Sequence, residues 1–148
     1  LRELIDLHER EGGSVLGLQT VDRSKSHLYG MISGNQVSDR HWRLKSMVEK
    51  PSPEDSPSQQ AITGRYLVPR SIFDILRTQN RGALGEIQLT DALNKLAHES
   101  LFHGIIPQAP RFDTGSATGL LIAGLAQGLL GEDAEMIRQA ITKLNTRS

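Results

Sequence analysis

The chain has 148 residues, of which 37% are apolar and 23% charged, the balance of one globular domain, which sets aside both a disordered tail and a membrane protein. Its 17 Lys and Arg offset 17 Asp and Glu, so no net field recruits nucleic acid or anionic lipid, and any anion site must be local. Cysteine is absent, which excludes disulfides, thiolate zinc sites and thiol nucleophiles and fits a reducing, cytoplasmic setting.

Leu1, Leu4, Ile5 and His8 share one stripe at helical spacing, predicting a helix to about Arg10 that stops at Gly12-Gly13. It begins with neither an initiator methionine nor a cap, so the chain reads as a piece of something longer. Ser14–Val21 reads as a strand buried on both faces, and His27–Ser33 as a second strand centred on Gly30. Gly34-Asn35 is a hairpin-turn signal. Residues 42–49 alternate, with Trp42, Leu44, Ser46 and Val48 on one side and Arg43, Lys45, Met47 and Glu49 on the other. Pro51 ends that strand and restricts Lys50 to extended backbone. Residues 51–60 carry three prolines and three serines and form a solvated loop within the domain.

Ala61–Val68 reads as a strand, and Pro69 suits the first turn of a helix over 70–78. Thr90 is placed to cap a helix running to about His98, with Asp91 facing its positive end. Leu101–Ile106 is a further strand, and 116–130 and 134–144 are helices. Alternation of strands and helices gives an α/β fold with a mixed sheet. The apolar run Gly119–Gly131 is too short to cross a bilayer and is expected as a buried core helix; Gly124 and Gly128 would admit a close neighbour.

The five histidines (His8, His27, His41, His98, His103) show no metal-ligand spacing, and no serine lies in a nucleophile elbow. Phosphate-loop and dinucleotide fingerprints are also missing. Three places carry more information. Glu49-Lys50-Pro51 leaves the C-terminal end of a strand, where open α/β sheets bind ligands; an ordinary surface ion pair is the plain alternative. Alternation sends the two side chains to opposite faces unless the proline distorts the strand end. Gly85–Ala92 opens a helix, which accounts for Gly85, Thr90 and Asp91 but not for Glu86 and Gln88. Arg111–Ser116 leads into another helix, capped by Thr114 or Ser116, and Asp113 there can offer a carboxylate oxygen to a hard cation.

V-E-K-P at 48–51, P-S-x-x-A-I-x-G-R-Y at 57–66, G-E-I-Q-L-T-D-A at 85–92 and F-D-T-G-S at 112–116 together resemble the bacterial UTP–glucose-1-phosphate uridylyltransferase family, in its order and approximate spacing. G-G-S-V-L-G-L-Q at 12–19 and Y-G-M-I at 29–32 extend the resemblance over nearly the whole chain. Related thymidylyltransferases share the E-K-P and D-T-G elements, while Gly64-Arg65-Tyr66 and the 85–92 string look more like the uridylyl branch. The resemblance implies a partial Rossmann-like α/β/α sandwich in which the oxygen of glucose-1-phosphate attacks the α-phosphorus of UTP and pyrophosphate leaves. It places Gly30 against the sugar, Glu49 on the sugar hydroxyls, Lys50 on the phosphate as the catalytic cation, and Asp113 on Mg²⁺. It also implies an assembly of identical subunits.

Ala117 and Leu120 stand where the family usually has Lys and Tyr. The family's N-terminal half, with its phosphate loop, base pocket and first metal-binding aspartate, has no counterpart here, so this reads as the sugar-binding portion, active only when joined to the rest. The competing readings are a truncated, inactive paralogue that self-associates through residues 116–144, and a transferase for another sugar or base.

Overall fold

The computed structural model describes residues 1–80 and 85–145. Two compact units are present, Leu1–Gln108 and Ala109–Ser148. In the first, helix α1 (Arg2–Glu11) is followed by β1 (Ser14–Thr20), a 3-10 helix (Arg23–Leu28), β2 (Gly30–Ser38), β3 (His41–Glu49), β4 (Gln60–Leu67), α2 (Ile72–Thr78), α3 (Leu89–Glu99) and β5 (Phe102–Ile105). The sheet is mixed, as expected: β1 pairs parallel with β5 and antiparallel with β4, while β3 pairs antiparallel with both β2 and β5. Met31 of β2 meets Ala61 of β4, so the order β1-β4-β2-β3-β5 closes on itself.

β1 is buried on both faces because each side chain in turn meets a different layer. Val15 joins Leu4 and Leu7 of α1 in one cluster, whereas Leu16 and Leu18 join Leu93 and Leu96 of α3 and Phe102 in the main core. Gly12, at φ 73°, ends α1 in a conformation that side chains resist.

Three local expectations give way. His27 and Leu28 belong to the 3-10 helix, which Asp22 initiates by accepting hydrogen bonds from the Ser24 amide (2.8 Å) and hydroxyl (2.7 Å). Gly34-Asn35 is not the turn: β2 runs straight through it, and Asp39-Arg40 makes the two-residue connection beside the Ser38–His41 pair. Nor does β3 alternate cleanly. Ser33 pairs with Ser46 but Gly34 with Leu44, so Lys45 is an extra residue that shifts the phase, leaving Leu44 and Met47 both buried.

Gly34 is needed at that bulge because a Cβ there would lie 2.2 Å from the Arg43 carbonyl oxygen. Backbone cannot yield as a side-chain tip can. Gly34→Ala is therefore expected to cost about 1–3 kcal/mol, read as a lower urea midpoint with an unchanged slope.

The proline-rich loop after β3 is pinned. Arg23 donates to the carbonyls of Pro53 (2.7 Å), Glu54 (3.4 Å) and Ser56 (2.6 Å), and Pro51 and Ser56 are buried. These bonds fix the segment that follows Glu49 and Lys50.

The second unit holds α4 (Ala117–Gly128) and α5 (Ala134–Asn145). Ser116 caps α4, its hydroxyl accepting from the Gly119 amide at 3.0 Å. The expectation of a buried helix over 119–131 is overturned: no residue of α4 is buried, and Leu120, Leu121 and Ile122 are each more than half exposed. Apolar residues ring this helix on every side, so contact with α5 leaves most of them uncovered. Gly128 meets Ile137 of α5, whereas Gly124 faces open space.

Candidate active site

Met47, on the inward side after the Lys45 bulge, leads along β3 to Glu49, whose side chain is one-fifth exposed. Strand alternation would then carry Lys50 to the opposite face. It does not, because Lys50 has φ 46°, in the left-handed region. This corrects the extended backbone expected ahead of Pro51. Two contacts impose the unusual conformation: the Lys50 amide donates to the Tyr29 carbonyl (2.9 Å), and the buried Ser26 hydroxyl donates to the Pro51 carbonyl (3.0 Å). The 3-10 helix and its exit thus hold the turn closed against the steric cost of a left-handed lysine.

Glu49 and Lys50 consequently line one cleft of about 480 Å³, together with His27, Val48, Gln88 and Asp91. The Lys50 Nζ stands 3.9 Å from Glu49 Oε1, an ion pair without a hydrogen bond. On the other carboxylate oxygen, Oε2, the Thr90 hydroxyl donates at 2.5 Å. Thr90 is therefore not the helix cap. Gln88 occupies the cap position of α3, and Thr90 lies two residues further on, in the first turn, with its hydroxyl turned to β3. Gly30 is buried beside this pair; a Cβ there would come within 2.9 Å of Thr90 Oγ1 and 3.0 Å of Glu49 Oε2. The negative charge of Glu49 also reaches Tyr66, whose phenol is held above its ordinary value first by burial and then by that carboxylate.

The cleft sorts its polar groups by chemistry. Glu49 and Asp91 accept hydrogen bonds, as sugar hydroxyls require, and Lys50 donates as a compact cation, as a phosphate requires. Gln88 completes the wall; its carbonyl accepts from Gln79 Nε2 at 2.9 Å, and its own Nε2 is buried without a hydrogen-bond partner. The structure thus brings Gly30, Glu49 and Lys50 together in the first unit. Gln88, which the opening of a helix left unexplained, joins them on the cleft wall, and so do Thr90, Asp91 and His27. Thr90 and Asp91 were legible only as helix-start residues, and His27 carried no signal at all.

Asp113 belongs to the second unit. Its Oδ1 accepts from the Gly115 amide at 3.0 Å, and its Oδ2 stands 4.0 Å from Arg111 Nη2. The side chain is 62% exposed and borders a surface hollow shared with Phe112, Ser116 and Ile122. Among the described residues, no group of three or more His, Asp or Glu is placed to hold a metal by itself.

The nucleotidyl transferase family profile matches residues 1–126. The chain is 38% identical over 132 residues to UTP–glucose-1-phosphate uridylyltransferase 2 of Staphylococcus saprophyticus, covering 89% of this chain and 46% of that protein. Among solved structures, a UDP-glucose pyrophosphorylase complexed with UDP-glucose superposes with a TM-score of 0.79 at 32% identity, over 85% of this chain and 48% of the other. The UTP-bound enzyme of Acinetobacter baumannii gives 0.82 at 27% identity, over 95% and 49%. The chain thus spans about half the length of the relatives it matches.

Proposed function

Since this chain belongs to the nucleotidyl transferase family, we propose that it supplies the sugar-phosphate side of a UTP–glucose-1-phosphate uridylyltransferase site. The observation that carries the proposal is the left-handed Lys50, which turns a carboxylate and an ammonium from successive residues into one cleft. Glu49 receives hydroxyls of glucose and Lys50 neutralises the phosphate, while Gly30, by having no side chain, leaves room for the Thr90–Glu49 contact beside the sugar. In the reaction proposed, a phosphate oxygen of glucose-1-phosphate attacks the α-phosphorus of UTP, the new P–O bond forms, and the bond to pyrophosphate breaks. Such transfers depend on positioning and charge neutralisation more than on covalent chemistry by the protein, which suits a lysine and a fixed carboxylate.

Asp113 is the residue that would hold Mg²⁺. Its exposed Oδ2 offers one hard oxygen, and magnesium characteristically takes one or two carboxylates and completes its shell with phosphates and water. When bound, the ion offsets phosphate charge. The exposed apolar residues of α4 and α5 support self-association of the chain.

The test is ligand preference in the 148-residue chain, by nuclear magnetic resonance titration. Glucose-1-phosphate is expected to perturb Gly30, Glu49 and Lys50 at concentrations at least about tenfold below those needed for glucose or inorganic phosphate alone, because the linked ligand engages both halves of the cleft. Equal weak responses to all three would remove the sugar-phosphate assignment.

A further inference from the structure

We propose that Thr90 is the positioning residue for Glu49: its hydroxyl fixes which carboxylate oxygen faces the cleft, and thereby which sugar hydroxyls the site accepts. The inference rests on the sugar-phosphate reading above and adds to it a residue that touches no substrate.

Glu49 ends a strand with a long, rotatable side chain, and a carboxylate one-fifth exposed to a cleft has several ways to lie. Lys50 cannot choose among them, since 3.9 Å is beyond hydrogen-bond reach. The Thr90 hydroxyl can. It is buried in the first turn of α3, its β-branched side chain has few rotamers, and it donates its one proton to Oε2. Oε1 is left as the oxygen on the Lys50 side. Gly30 is the third part of the device, because any Cβ there would press on both partners of the bond.

A purely structural tie between α3 and β3 is the alternative, but that seam has other fastenings. Asn94 Oδ1 accepts from the Met47 amide at 2.8 Å, and Leu93 and Leu96 pack into the main core with Leu44 and Met47. The Thr90 bond reaches past this seam to a side chain in the cleft.

Thr90→Val removes the donor and keeps the shape; Thr90→Ser keeps the donor and gives up the methyl. Both are compared with the wild-type 148-residue chain for binding of glucose-1-phosphate and of inorganic phosphate, alongside thermal melting. Thr90→Val is expected to weaken glucose-1-phosphate binding about tenfold while phosphate binding stays within twofold, roughly the effect of losing a hydrogen bond to a charged group. Thr90→Ser should restore most of the affinity. Unchanged glucose-1-phosphate binding in Thr90→Val, or equal loss of both ligands, would overturn the positioning role while leaving the functional reading in place. A wild-type chain that prefers neither ligand would overturn the functional reading, and this inference with it.

Discussion

Lys50→Ala is expected to weaken glucose-1-phosphate binding by about tenfold to a hundredfold, since a charge-assisted contact to phosphate contributes about 1.5–3 kcal/mol and each 1.4 kcal/mol is a decade. Stability should hardly change. The lysine is 44% exposed and its ion pair with Glu49 is long, the kind of surface pair worth about 0–1 kcal/mol. Alanine keeps the left-handed strain, so no relief of the turn confuses the result. Lys50→Arg should restore only part of the affinity, because a planar fork does not replace a point charge on a backbone held at this angle. Titration calorimetry with melting curves on both variants is the check. Near-normal affinity in Lys50→Ala would return the lysine to an ordinary surface residue.

The second large effect belongs to a pair the proposed chemistry does not use. His41 opens β3 and His103 lies in β5; their rings meet through His41 Nε2 and His103 Nδ1 at 2.9 Å, both nearly inaccessible. Burial holds His41 below the ordinary value of 6.5, with Arg10 and Arg43 adding to the effect and Glu11 opposing it. Burial does the same for His103, reinforced by the charge that His41 and Arg43 carry. The folded state therefore resists protons that the unfolded chain accepts. Stability from this pair is present above pH 6.5 and is lost as the pH falls below it, at up to about 1.4 kcal/mol per pH unit for each histidine. Glu3, held low by its hydrogen bond to Arg40, loses its contribution only below its ordinary value of 4.5, so the two windows separate. Urea titrations from pH 7.5 to 5.0 should show a falling midpoint, and His103→Gln should flatten it. A constant midpoint across that range would show that the pair takes up protons as readily folded as unfolded.

Most elements were legible because their signals are local. Helix α1 with Gly12 behind it and the apolar run of β1 follow from periodicity and backbone preference, although Leu4 and Leu7 form the buried stripe of α1 while Leu1 and His8 are exposed. Of the two caps expected for α4, Ser116 is the one used. What stayed hidden depends on contacts distant in sequence. The Lys45 bulge arises from how β2 and β3 pass each other, and the chain turns at Asp39-Arg40, which lacks the glycine that makes Gly34-Asn35 the stronger local signal. Thr90 has the composition of a cap, and only the arrival of Glu49 from β3 gives its hydroxyl a different partner. The reversal at Lys50 is likewise set from outside, by Tyr29 and Ser26, which no reading of E-K-P contains. The E-K-P string stands out in sequence only as charge at a strand end; Pro51 points to an extended Lys50, and the left-handed turn found there runs against that preference. The exposure of α4 ran against its composition: hydrophobicity says that a helix wants cover, not that its own unit supplies it.

The closed order of strands has a consequence for how the first unit comes into being. β1 precedes β5 in the chain by three intervening strands, yet β5 is its parallel partner, with Ser14 set against Phe102, and β5 also seals the far side of β3 through Trp42 and Gly104. The hairpin of β2 and β3 can form as soon as both are synthesised, but the ring cannot shut until the unit's last strand is available. Loop-closure entropy must be met before those distant pairings repay it, so the final step is a slow one, and it falls at the end of the unit's synthesis. Until then one flank of β1 and one of β3 are open to other chains, and the interval before β5 arrives is when these two edges are exposed to mispairing.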